Sequence, residues 1–137
     1  MKKLIFLMAL ILLTGLTFGQ TIQKGNLLGT HVMTVSLQSG VTMDHFLKFF
    51  KSKYIPAFEK NHPGWKVYIV KSIRGDVKDS YGMLMLVKSQ KERDKYYNTD
   101  GSNSKAGNSA DEKLKPVSDE MKKFGTFTTT YTDWLVQ

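Results

Sequence analysis

Hydrophobic and polar positions change period several times along this chain, and each change marks an element. The chain is organised around Trp65 to Lys88. Trp65-Lys-Val-Tyr-Ile-Val-Lys-Ser-Ile-Arg74 alternates aromatic and β-branched residues with polar ones, as a half-buried strand does. Tyr81 to Lys88 is a second apolar run of strand length, and the polar stretch Gly75 to Ser80 between them predicts an antiparallel hairpin. Before the hairpin, Leu27 to Leu37 reads as a strand with Met33, Val35 and Leu37 on one face and Thr30, Thr34 and Ser36 on the other. Thr42 is a suitable N-cap for a helix in which Met43, Phe46, Leu47, Phe50, Tyr54 and Phe58 recur at helical spacing. Pro56 is expected to kink that helix or end it early, and Asn61-His-Pro-Gly64 stops it.

After the hairpin, Ser89-Gln-Lys-Glu92 has the form of a capping box and opens a short charged helix to about Tyr97. Residues 98–110 are rich in Gly, Ser and Asn, with no apolar residue larger than alanine, and predict a mobile loop or lid. A helix is expected over Asp111 to Phe124 through Leu114, Val117 and Met121, with Pro116 as an irregularity. The last strand spans Thr126 to Val136. The order β-α-β-β-α-β implies an α+β chain with a ferredoxin-like sandwich. Its four antiparallel strands should run 4-1-3-2 with the helices on one face.

Composition adds an address. Lys2 and Lys3 precede an apolar run from Leu4 to Leu16, and Thr17-Phe-Gly19 offers small residues where a signal peptidase reads. Residues 1–19 are therefore expected to be a cleaved signal peptide, too short to stay as a membrane anchor. Residues 20–137 are then a single exported domain, periplasmic or secreted. Removing 19 residues from 137 leaves 118, and the loss of two lysines and no acid lowers the net charge from +8 to +6. That charge is interleaved with acids, as on an ordinary solvated surface. The absence of cysteine excludes disulfides, thiolate metal sites and cysteine nucleophiles. The three histidines have no metal-ligand spacing, and no phosphate loop or hydrolase triad is present, so no metal or cofactor is expected.

Two motifs carry a resemblance: Phe46-Leu-x-x-Phe50-x-x-x-Tyr54-x-Pro56 in the first helix, and Gly64-Trp65 entering the second strand. With the element order, they make residues 27–136 resemble the dimeric α+β barrel superfamily, and within it antibiotic-biosynthesis monooxygenase-type and NIPSNAP-type domains. The resemblance implies a homodimer in which two sheets pair face to face. Relatives include cofactor-free oxygenases and haem degraders. The latter use an Asn, Trp and His set with the His in the second helical region. Residues 89–97 and 111–124 contain no histidine, so haem degradation is not carried over. The same strand order serves RNA-binding domains, but Asp79, Met83 and Leu86 stand where a basic residue and stacking aromatics are needed, so no nucleic-acid partner is expected.

Parity places the candidate chemistry. Alternate residues put His31, Lys71, Tyr81, Tyr131 and Asp133 on the more apolar face, with Met33, Val35, Val67, Ile69, Met83 and Met85. If the start of the first strand lies beside the start of the third and the ends of the second and fourth, these polar residues gather at one mouth. His31 and Asp133 are then the candidate catalytic pair, the carboxylate orienting the imidazole and raising its pKa above ~6.5. Lys71, Tyr81, Tyr131 and Trp65 are the candidate ligand-binding residues. The expected function is binding of a small aromatic or amphipathic molecule. The alternatives are a cofactor-free oxygenase or isomerase using His31 and Asp133, and a non-catalytic protein-interaction subunit. Thr30, Val32, Tyr68, Val70, Leu84 and Leu86 form the other, partly apolar face, where a second copy is expected to pair.

Overall fold

A computed structural model describes residues 21–137; the expected signal peptide, 1–19, lies outside the described residues. Four strands, β1 (Leu27–Leu37), β2 (Trp65–Lys71), β3 (Tyr81–Val87) and β4 (Gly125–Leu135), form one sheet in the order β2-β3-β1-β4. Every neighbouring pair is antiparallel. The helices are α1 (Met43–Phe49), α2 (Ile55–Asn61), α3 (Gln90–Arg93) and α4 (Lys105–Met121). The chain is thus α+β.

The strand registers set four cross-strand rows on the face that meets the helices. Trp65, Val87, Leu27 and Leu135 form the first row, then Val67, Met85, Gly29 and Asp133. Ile69, Met83, His31 and Tyr131 form the third, and Lys71, Tyr81, Met33 and Thr129 the fourth. Phe46, Phe50, Phe58, Leu114 and Met121 from the helices share one buried cluster with Leu27, Met33, Trp65, Val67, Met83 and Val87 from these rows. Parity alone therefore assigns the covered face. On the opposite face Val32, Tyr68, Val70 and Trp134 are exposed. Leu86 is an exception there: it is buried, yet stands outside the main cluster.

Three elements depart from the sequence reading. Pro56 does not end its helix, which runs on to Asn61. Between α1 and α2 the residues Phe50–Tyr54 form a π-helical turn, in which the Ile55 N–H reaches back five residues to the Phe50 carbonyl. Proline has no N–H to donate and its ring crowds the carbonyl four residues earlier, and the wider turn absorbs both defects. The second strand stops at Lys71, because Ser72 N–H already donates to Ser80 and Asp79 N–H to Ser72, closing the loop.

The largest departure is the segment expected to be a mobile loop. Residues 105–110 are the first turns of α4, capped by Ser104, whose hydroxyl accepts from Gly107 N–H at 3.1 Å. Residues 98–104 are tied by Asn98 N–H to Ser102, Ser104 N–H to Tyr96, and a bridge between Tyr97 and Asn103. The anchors are small: Gly107 and Ala110 are buried. Composition hid this helix, since its contact with the rest of the fold needs the absence of a side chain rather than the presence of one.

Candidate functional site

Gly29 sits mid-strand in the second row, among Met85, Asp133 and, one row on, His31. A Cβ there would meet Asp133 Oδ1 at 3.2 Å, His31 Nε2 at 3.4 Å and Met85 Cβ at 3.5 Å. Gly29 lines a cavity of about 220 Å³ that is also bordered by Trp65, His31, Tyr131, Asp133, Arg93 and Tyr97. Leu27 and Val87 of the first row, both buried, also line it. Among the described residues no cluster of His, Asp or Glu is placed to hold a metal ion.

His31 is half-buried and its ring stacks on Tyr131, with centroids 5.4 Å apart and planes 21° from parallel. Its Nδ1 is buried with no hydrogen-bond partner. Burial lowers its pKa below the usual value, and the charge of Asp133 offsets this in part. This corrects the expectation of a raised pKa. The reason is burial, which outweighs the carboxylate; Asp133 is itself ion-paired, its Oδ2 lying 3.2 Å from Arg93 Nε. Arg93 also contacts Asp94 Oδ1 at 3.2 Å and the Asn98 carbonyl at 3.3 Å, so it fastens the segment after α3 to β4. A carboxylate already paired with a guanidinium leaves little charge to stabilise an imidazolium.

Trp65 opens β2 and is 5% exposed, its indole N–H buried with no acceptor. Burial, with smaller contributions from Asp111 and other neighbours, pushes the Tyr97 phenol up to about 12, so it stays protonated. Behind Trp65 and Tyr97 lies His62, 0% exposed and stacked on Phe58 at 4.0 Å, with Tyr96 at 4.5 Å. The Phe58 carbonyl can only accept, so Nδ1 carries the proton of the 3.1 Å bond between them. Nε2 is left buried and unpartnered, and burial lowers the pKa, against the Phe58 bond and Asp111. The Asn61 to Gly64 stop therefore contains a core residue, which its place before a proline did not suggest.

Four of the six candidate residues, His31, Asp133, Tyr131 and Trp65, border the one cavity. Lys71 and Tyr81 do not. Antiparallel pairing sets the start of β1 against the end of β3 and the start of β2, not against their opposite ends. Lys71 is drawn instead to Asp79 at 3.5 Å and over the Tyr81 ring at 5.9 Å. The two line a second hollow of about 240 Å³ with Val70 and Val77, which His31 also borders. Sequence reasoning missed Gly29, Arg93 and Tyr97. Glycine inside a strand signals a close approach, and Arg93 and Tyr97 are spaced four apart after the Ser89 cap, as residues sharing a face are. No protein-family model matches the chain, and no curated protein does.

Two titrations follow. Arg93→Gln should move the His31 pKa upward, because Asp133 then faces the imidazole uncompensated, and Asp133→Asn should move it further down. NMR titration of His31 reads both, and an Arg93→Gln shift downward would contradict the pairing. In stability, both His31 and His62 bind protons less tightly in the fold than in the unfolded chain. The unfolded state thus takes up protons first. Stability is complete above about pH 6.5 and declines as pH falls below it toward the folded values. Urea midpoints should fall between pH 6.5 and 5, above the usual carboxylate range, and His62→Gln should flatten part of that fall while lowering the plateau. A midpoint constant across this interval would contradict the prediction.

Proposed function

We propose that this chain is a ferredoxin-like, exported domain that binds a small aromatic or amphipathic molecule between its sheet and its helices. Two copies pair through the open sheet face. The observation that carries the binding reading is the cavity beside Gly29, walled by rings and lined also by buried Leu27 and Val87. A strand glycine is a poor choice for packing, and here it marks a close approach of Asp133, His31 and Met85 on the cavity's lining. Pairing through the other face is supported by exposed Val32, Tyr68, Val70 and Trp134, apolar surface of a kind that monomers rarely present together.

A cofactor-free oxygenase or isomerase is the second reading. It is favoured by one feature: an unprotonated His31 with an unpartnered buried nitrogen is in the form that accepts a proton. Asp133 is taken by Arg93, so the carboxylate-oriented base foreseen for that chemistry is not assembled, and binding is the better-supported role.

Native mass spectrometry of protein purified from its own host tests the proposal. The expected result is a dimer that retains a small molecule. Gly29→Ala should weaken retention while leaving the fold intact, since Asp133 Oδ1 and His31 Nε2 are side-chain ends that can yield and Met85 Cβ at 3.5 Å is in ordinary contact, and Gly29→Leu should abolish it. Retention unchanged in the folded Gly29→Leu protein would place the molecule elsewhere and overturn the reading.

A further inference from the structure

The two edges of the sheet, β2 and β4, are finished differently. Along β2, the Ser72 N–H bonds across to Ser80, so the even residues face β3 and the N–H groups of Trp65, Val67, Ile69 and Lys71 point outward. Two of these are satisfied within the chain. Trp65 N–H donates to the His62 carbonyl at 3.1 Å, and Val67 N–H to Glu59 Oε1 of α2 at 2.9 Å. Lys66, Lys71 and a length of seven residues complete an edge closed to further strands.

β4 has none of these devices. It runs for 11 residues in unbroken register with β1, without lysine, arginine, proline or a bulge. The bonds from Gln38 N–H to Phe124 and from Val136 N–H to Asn26 flank that ladder, so even residues face β1 and odd ones face outward. Among the described residues nothing accepts from the N–H of Phe127, Thr129, Tyr131 or Asp133, and residues 130–135 are all exposed. An open edge of this length is a template for another strand.

We propose that the β4 edge is an interface at which a second copy of this chain adds its own β4 antiparallel, joining two sheets into one. This contact is separate from the pairing through the open face. The strand is complementary to itself. Full overlap of Gly125–Leu135 with its copy places the two-fold axis at Thr130, so that Thr130 meets Thr130, Thr128 meets Thr132 and Thr129 meets Tyr131. Such β-branched and aromatic pairs stabilise neighbouring strands. Asp133, the one charge on the strand, falls opposite Phe127 and is already paired with Arg93, so no like charges oppose each other. Tyr131 and Asp133 line the cavity, and the added strand therefore runs along its margin.

Residue-resolved amide hydrogen exchange and sedimentation of the full mature chain test this together. The even amides of β4 are bonded to β1 and should exchange slowly in every variant. The amides of Phe127, Thr129, Tyr131 and Asp133 should also exchange slowly in the parent. Thr130→Lys, at an exposed position, sets two lysines against each other at the axis. It should speed the four outward amides on the order of a hundredfold and halve the sedimenting mass. Thr130→Val, which keeps the β-branch, should change neither. Tyr68→Lys, on the opposite edge strand, should disrupt only the face pairing and leave the four amides slow. Fast exchange of the outward amides in the parent overturns the proposal, as does slow exchange that survives Thr130→Lys. Faster exchange in Thr130→Lys with no loss of mass also overturns it, because the cover would then belong to the same chain.

Discussion

Gly107→Ala should cost the fold about 3 kcal/mol and lower its melting temperature by roughly 10 °C, although alanine is the better helix former. Position 107 lies in the first turn of α4, where its N–H meets the Ser104 hydroxyl. A Cβ there would fall inside van der Waals contact of the Tyr96 carbonyl oxygen and within 3.3 Å of Asn103 Cβ. The obstacle is backbone, which no rotamer change relieves. Either α4 retreats or the Tyr96–Tyr97 segment does, and the latter carries one wall of the cavity. Intrinsic propensity would favour alanine by up to ~1 kcal/mol, so the sign of the result decides between propensity and close approach. A thermal melt of Gly107→Ala that matches or exceeds the parent would show that α4 does not rest on Tyr96.

Phe50→Ala should remove about 3 to 5 kcal/mol, a large share of the ~5 to 15 kcal/mol that holds a domain of this size. Phe50 is fully buried at the start of the π-helical turn, 4.7 Å from Tyr54, 5.6 Å from Phe127 and 5.7 Å from Phe46 between ring centroids. It therefore joins the helical layer to β4, and its removal leaves a void between two elements that cannot both close on it. Phe50→Leu should cost roughly 1 to 2 kcal/mol, since most of the volume remains. Chemical denaturation reads both. A loss near 1 kcal/mol for Phe50→Ala would mean the site collapses freely and that the rigid ring cluster described here is not the core.

The candidate site was half legible. His31, Asp133, Tyr131 and Trp65 were found because side chains alternate across a strand, and a period of two needs no tertiary information. Lys71 and Tyr81 were placed with them by an error of direction: parity says which face a residue takes, whereas register says how far along it lies. Register depends on which strand ends meet, and the antiparallel pairing of β1 with β3 sent those two residues to the fourth row. Asp133 was identified but its partner was not, because Arg93 reaches it across 40 residues of sequence from a segment whose pattern shows only a short charged helix.

The hydrophobic pattern by itself determined the α+β class, the four strands, the covered and open faces, and the caps at Thr42 and Ser89, whose hydroxyls accept from His45 and Glu92. These follow from local chemistry: periods of 2 and 3.6, and hydroxyls near free N–H groups. Tertiary structure decided what depends on absence and on distance. The early start of α4 rests on glycine and alanine, which carry no hydrophobic signal but permit close approach to Tyr96. The cavity is lined by residues from all four strands and from the segment after α3, with Gly29 at a point where three neighbours converge. The low proton affinity of His31 and His62 comes from burial, and burial is a property of everything packed around a residue rather than of the residue itself.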